Sequence, residues 1–302
     1  MPPVLAVIPN PPLAPRGISL HSEHRSAKLF PMPGERQTAW LANIRLHPIK
    51  GLDPISVPEA RIGPNGGLEL DRVWALFSVD GQWINGKRSA TIHHIRAEYD
   101  PLVSMVTLSV SGGSSKKKES KPARFAFPGD YQRAATWFSE YFVQTVIVRH
   151  IPEGVPDDGL APGPTIVSTA SLQSVCDLFP EIPLQEARER FRTTLEIDGV
   201  PAFWEDQLFG EEENYPVRFK IGEVAFEGSN PCARCPVPPR NPRTGEDLIG
   251  FQKRFTQMRR DSLPSSSPAA RFDHFYRMAT NTRVPSTEQG KLLRLGDAVV
   301  LS

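Results

Sequence analysis

Between residues 40 and 110 the apolar positions come in short bursts. WLANIRLHPI, VPEARIG, RVWALFSV and PLVSMVTLSV are each rich in β-branched or aromatic residues and are separated by Gly, Asp or Pro, a pattern that predicts short strands. The same texture returns in TTLEIDG, YPVRFKIG, EVAFEG and the terminal KLLRLGDAVVLS. Two stretches change period. GDYQRAATWFSEYF, residues 129–142, spaces Ala135, Phe138 and Phe142 along one face and offers Asp130 as an N-cap, which predicts a helix. STASLQSVCDLFP, residues 168–180, sets Ser168 or Thr169 ahead of Leu172, Val175, Cys176 and Phe179 and stops at Pro180, which predicts a second. Cys176 falls on the apolar side of that helix, where a thiol packs as a small hydrophobe. No repeat of fixed period is visible.

Composition sharpens the fold class. The 31 prolines among 302 residues are about twice the roughly 5% average usage and oppose long helices. The expected class is mainly β with a few helices (α+β). Residues 1–39, beginning MPPVLAVIPNPPLAP, are broken by prolines and lack both a basic start and a continuous apolar run. They read as a disordered leader, neither a signal peptide nor a membrane span. GGSSKKKESK, residues 112–121, reads as a solvated hairpin loop. Lys plus Arg at 35 nearly balance Asp plus Glu at 34, for a net charge of +1. A soluble protein without a large basic field is therefore expected, and nucleic acid is excluded as the main partner. Cys176, Cys232 and Cys235 form a sparse, odd set, which points to a reducing compartment, the cytoplasm first and the mitochondrion as an alternative.

Residues 230–245 read NPCARCPVPPRNPRTG, and the two cysteines admit three readings. A structural zinc site needs four ligands and a second close pair. The sequence has no such pair, and the adjacent His93 and His94 would complete a site poorly. A dithiol redox pair usually draws its reactivity from a helix N-terminus after the motif, where Pro236, Pro238 and Pro239 oppose a helix. In the third reading one thiolate on a rigid loop is a single soft ligand to a metal whose other ligands come from elsewhere. Neither a Rossmann fingerprint nor an Fe–S cysteine set is present, so electrons for redox chemistry would come from another protein.

The stretch CARCPVPPRNPRTG resembles the metal-binding loop of MOSC-domain proteins, the molybdenum cofactor sulfurase C-terminal superfamily. The likeness extends over residues 40–301. IRLHPIKGLDPISVPEARIGPNGGLELDRVWALFSVDGQWI is similar to that family's N-terminal β-barrel domain, with its Y-P-V-K-S and D-R-x-W motifs. TIVSTASL resembles its S-x-A-S-L helix start, and RFRTTLEIDGVPAFWED its R-F-R-P-N strand followed by a Glu-Asp pair. The resemblance implies a MOSC N-terminal β-barrel domain over residues 40–150 and a MOSC β-barrel domain over residues 151–302. The implied cofactor is the molybdenum cofactor (Mo-molybdopterin), and the superfamily also carries an association with pyridoxal phosphate binding.

Site residues follow from the same resemblance. Cys235, directly after Arg234, takes the position of the metal ligand and is the expected catalytic thiolate, with the Arg234 charge expected to favour its ionised form. Lys50, Arg72, Arg192, Arg234 and the helix start at Ser168 and Thr169 take cofactor-binding positions. A pterin phosphate calls for charge-assisted donors, and a helix start offers N–H groups. Asp206, beside Glu205, is expected to orient an arginine or a metal-bound water as a second catalytic residue. Phe203 and Trp204 are expected to fill the barrel core, and Cys232 to pack without a metal bond. The chain departs from the family pattern at Gly51 (Ser in the pattern), at Thr193-Thr194 (Pro-Asn) and at Ala233 (Ser).

The implied activity resembles that of the mitochondrial amidoxime-reducing component and its bacterial relatives. It is reduction of N-hydroxylated or N-oxide small molecules, with electrons from a separate donor such as a b-type cytochrome and flavin reductase. Its rivals are a non-catalytic cofactor carrier or sulfuration/transfer module acting with a separate sulfur donor, and a scaffold that holds no metal.

Overall fold

The computed structural model describes residues 39–111, 121–156, 158–213 and 215–302. The expected leader and the expected 112–121 loop lie outside these residues, apart from Ala39 and Lys121 at their edges. The first half supplies β1 (Ala39–Leu46), β2 (Ile55–Val57), β3 (Glu59–Arg61), β4 (Trp74–Ser78), β5 (Ile95–Tyr99), β6 (Met105–Val110), β7 (Ala123–Ala126), α1 (Tyr131–Phe142) and β8 (Val146–His150). The second supplies β9 (Ile166–Ser168), α2 (Thr169–Leu178), α3 (Leu184–Phe191), β10 (Leu195–Asp198), β11 (Val217–Ile221), β12 (Val224–Ala233), α4 (Phe251–Asp261), β13 (Arg277–Arg283), β14 (Leu292–Arg294) and β15 (Ala298–Leu301). The fold is mostly β.

A closed barrel organises the second half. Its strands run in the order β10, β9, β13, β12, β11, β15, β1, and β1 pairs back onto β10. The closing strand comes from the opposite end of the chain. Alternation explains the barrel's interior: in β11 Phe219 and Ile221 point in while Arg218 and Lys220 point out, and β12 answers with Val224 and Phe226. Phe219 lies opposite Phe226 in register, with ring centroids 5.3 Å apart. Trp204 packs against this core, as expected, whereas Phe203 is buried outside that cluster, against Arg259.

The first half forms its own core. β4 pairs with β8, and β5, β6 and β7 form a three-stranded sheet. Trp74, Leu76, Ile95, Leu108 and Phe138 pack together between these strands and α1. The inward face of α1 is Ala134, Phe138 and Tyr141, not Ala135, Phe138 and Phe142; Ala135 and Phe142 pack only at its margin. Asp130 precedes the helix but does not cap it, because its Oδ2 accepts the Ala126 N–H at 2.9 Å instead.

A third core joins α2, α3 and α4 through Phe179, Phe191, Phe251 and Phe255. α3 and α4 are absent from the sequence-based expectations. RFRTT, expected as a strand, is the last turn of α3 followed by a left-handed Arg192 (φ 52°), and the strand begins only at Leu195. β12 runs through Pro231 to Ala233, with register shifts between Gly228 and Asn230 and between Pro231 and Ala233. Bulges let a strand carry a proline, and this one delivers Cys232 to the end of the barrel wall.

Candidate functional site

Four backbone segments converge on one cavity of about 670 Å³. The turn after β1 brings Lys50 and Gly51; the residue pair before β4 brings Arg72; the α3 C-terminus brings Arg190, Phe191 and Arg192; and the end of β12 brings Cys232, Ala233, Arg234 and Cys235. Gly51, Arg72 and Arg192 all have left-handed backbones, with φ of 96°, 54° and 52°. Glycine adopts this conformation freely, while at the two arginines it is strained, and such strain is tolerated where the surroundings fix the chain, often at functional sites. At Gly51 the φ of 96° disfavours a side chain and a Cβ would lie 3.0 Å from Ile92 Cδ1, so glycine suits this turn.

Each cation is held in place. Lys50 Nζ donates to the Val155 carbonyl at 3.2 Å and lies 5.6 Å from the Trp83 ring centroid. Arg72 pairs with Asp71 and donates to Thr194 Oγ1 at 3.4 Å and to the Arg192 carbonyl at 3.3 Å. The threonine that departs from the family pattern thus props the arginine. Arg192 Nη2 donates to the Leu52 carbonyl at 2.8 Å. Arg234 stacks over Phe191, 5.4 Å from the centroid, and donates to the Phe191 carbonyl.

The two thiols sit in different environments. Arg234 Nη1 lies 3.0 Å from Cys232 Sγ. The contact expected to favour a Cys235 thiolate is therefore made to Cys232, because the Arg234 side chain folds back along β12 toward α3. Cys235 is half-buried on the loop beyond, and its carbonyl accepts the Tyr276 hydroxyl at 3.4 Å. His94 Nε2 is bonded to the Thr244 carbonyl at 2.7 Å, so the histidine pair is not assembled as zinc ligands beside the thiols.

Three expected site residues lie elsewhere. Ser168 is fully buried and caps α2, its Oγ accepting the Ser171 N–H at 3.1 Å. Thr169 Oγ1 donates to Glu196 Oε1 at 2.9 Å. Neither lines the cavity: the two side-chain oxygens of this helix start are engaged by the cap and by β10. Asp206 also lies outside the cavity. Its carboxylate pairs with the fully buried Arg259 and accepts Ser267 Oγ at 2.5 Å, while Arg259 lies 4.0 Å from the Phe203 ring centroid. Asp206 does orient an arginine, but a structural one.

His93, weighed above only as a zinc ligand, and Asn230 also line the cavity, and other lining residues escaped sequence reasoning: Arg271, Arg277, Asn281 and Asp158. Nothing local marks them. Asn281 Nδ2 donates to Asp158 Oδ2 at 3.0 Å and to Asn230 Oδ1 at 2.8 Å. His93 is pushed down to about 4 by burial, with Arg192, Arg240 and Arg96 adding to the effect, so it is uncharged at neutral pH. Among the described residues of the wall, Lys50, Arg72, Lys87, Arg190, Arg192, Arg234, Arg271 and Arg277 stand against Asp158, Glu213 and Asp273 as acids. A chain of nearly zero net charge gathers its cations here. Two thiols and an excess of rigid guanidinium groups match the chemistry of a cofactor that joins a soft metal to a phosphate.

Comparison with known proteins matches two family models to the chain. The model of the MOSC N-terminal beta barrel domain matches residues 38–144, and the model of the MOSC domain matches residues 165–300. The chain belongs to the MOSC-domain proteins. Among curated relatives of this MOSC protein, molybdenum cofactor sulfurase of Drosophila grimshawi is 26% identical over 247 residues, which is 72% of this chain and 30% of that protein. The Drosophila mojavensis protein of the same name is 26% identical over 260 residues, 78% of this chain and 31% of that protein. This MOSC protein thus spans about a third of the length of the curated relatives it matches. Among its described residues no helix is long and apolar enough to cross a membrane.

Proposed function

We propose that the cavity binds the molybdenum cofactor and that the chain is a molybdenum-dependent oxidoreductase acting on N-oxygenated small molecules. Electrons come from a separate donor, such as a b-type cytochrome with a flavin reductase. The carrying observation is the convergence of the Cys235 loop with Lys50, Arg72, Arg192 and Arg234 in one cavity of about 670 Å³. In this reading Cys235 supplies the thiolate that holds the metal, and the four cations hold the pterin and its phosphate through charge-assisted hydrogen bonds. When bound, the cofactor supplies the redox chemistry. The protein orients it: Asp71 and Thr194 fix Arg72, Leu52 fixes Arg192, and Tyr276 fixes the Cys235 backbone. His93, uncharged in the wall, adds no further positive charge to the pterin pocket.

A second reading is favoured by the relatives, which carry the name molybdenum cofactor sulfurase. Here the same cavity carries or modifies the cofactor without turning over a substrate. Cofactor-loaded protein supplied with a chemical reductant and a panel of hydroxylamines and amidoximes separates the two. Many turnovers per protein are expected for the oxidoreductase. Stoichiometric transfer of cofactor to an acceptor apoenzyme, with no turnover, would instead select the carrier.

A further inference from the structure

We propose that Asp158, held by Asn230 and Asn281, forms a subsite in the cavity wall for the amidinium or amine group of a ligand. The inference deepens the oxidoreductase reading and rests on it only for calling that ligand the substrate. The subsite is built where β12 meets β13. Asn230 and Asn281 lie opposite one another in register, directly after the shift between Gly228 and Asn230, and bulges re-aim side chains. Two arginines fix the strand on either side of Asn230. Arg271 Nη2 donates to the Ser229 carbonyl at 3.0 Å, and Arg277 Nη1 donates to the Pro231 carbonyl at 2.6 Å.

The three side chains share one network. Asp158 Oδ2 accepts Asn281 Nδ2 at 3.0 Å and Asn230 Nδ2 at 3.3 Å, while Oδ1 accepts the Leu160 N–H at 2.9 Å. These N–H groups, and no cation, are its partners among the described residues. An ionised carboxylate has about four acceptor positions, so one remains for a donor from the cavity. Asn281 adds a second acceptor. It is 5% exposed, and its Nδ2 is given to two oxygens, Asp158 Oδ2 and Asn230 Oδ1. That sets the orientation of the amide and leaves its Oδ1 without a donor among the described residues. A buried amide oxygen in this state costs free energy. The residue lines the cavity, so an N–H group of a ligand bound there supplies the missing bond.

The wall is otherwise rich in guanidinium groups, which suit anions. Of the other acids among its described residues, Asp273 has a side chain 70% exposed that accepts Arg277 Nε at 3.0 Å, and Glu213 is exposed. Asp158 and Asn281 therefore form the acceptor pole of a cavity dominated by donors. An amidinium fits both groups. It is cationic and planar and carries N–H groups on two nitrogens, one for the carboxylate in a charge-assisted bond and one for Asn281 Oδ1. Among N-oxygenated compounds the subsite favours those with an N–H group near the N–O bond, such as N-hydroxyamidines. Tertiary amine N-oxides have none to offer.

The test measures binding of benzamidine, and of benzoate as its anionic counterpart, to the full-length chain by calorimetry. Asp158→Asn should weaken benzamidine binding by about tenfold, in keeping with loss of a hydrogen bond to a charged group, and Asp158→Glu should keep part of the affinity. Benzoate should bind Asp158→Asn at least as tightly as the parent. No measurable benzamidine binding to the parent, equal benzamidine affinity in Asp158→Asn and the parent, or an equal loss for both compounds would overturn the proposal. Should the variants fold poorly, nuclear magnetic resonance of the parent decides: benzamidine should shift the Asn281 side-chain amide signal, and a signal unmoved at saturation contradicts the subsite. Turnover is measured separately on cofactor-loaded protein, where Asp158→Asn should raise KM for N-hydroxybenzamidine by about tenfold with kcat little changed, the mark of a lost binding contact. An Asp158-dependent benzamidine site in a loaded protein that reduces no N-oxygenated compound would leave the subsite standing and remove the oxidoreductase reading alone.

Discussion

Glu205 is a fully buried carboxyl group with one oxygen bonded by Ser171 Oγ at 2.9 Å and no hydrogen-bond partner on the other among the described residues. Burial, with Asp206 adjacent, raises its pKa from 4.5 to about 7. The folded protein therefore holds a proton that the unfolded chain has released across that interval. Folding stability from this group is fully present below the lower value and is lost as pH rises through the higher one. Glu205→Gln removes the dependence. Denaturant unfolding of both proteins at about pH 5 and about pH 8 should show the variant gaining on the parent by on the order of 2 kcal/mol. A difference that stays constant with pH would contradict the assignment. At this scale the sequence showed part of the site. Lys50, Arg72, Arg192, Arg234 and Cys235 do meet in the cavity, since each lies in a motif with a recognisable neighbour. Asp206 lies outside the cavity, and no local pattern joins it to its partner Arg259, 53 positions away.

Among the elements, the ones foreseen are those with a strong period. β11 alternates and α2 repeats cleanly, and α2 stops where Pro180 requires. α4 went unseen because its buried stripe is Phe251, Phe255 and Arg259; two aromatics and an arginine look like a solvated face. The spacing of four between them was the available signal. β12 runs beyond the expected EVAFEG strand because two bulges carry it past Pro231 to Ala233. α2 also separates a structural role from a binding one. Ser168→Ala removes the cap on Ser171 N and should cost about 1 kcal/mol, measured as a lower thermal midpoint, while leaving pterin content unchanged. Loss of pterin from a variant that keeps its fold would return the helix start to the site.

Over the whole molecule the sequence showed β-rich architecture but not how the halves interlock. β1, the first described strand, closes a barrel whose other strands all come after residue 165, and the turn that follows β1 supplies Lys50 and Gly51 to the cavity. Strand pairing at such separation leaves no local trace, because only the completed barrel shows which edges need a partner. The interlock explains how a chain with nearly balanced charge concentrates cations beside two thiols. The most direct test is the molybdenum and pterin content of protein purified from a cofactor-competent host, compared with Cys235→Ser and Arg192→Gln. The account predicts near-stoichiometric molybdenum and pterin in the parent, loss of molybdenum in Cys235→Ser, and reduced pterin in Arg192→Gln with thermal unfolding of the apo forms little changed. A parent protein that folds but contains neither molybdenum nor pterin would contradict it.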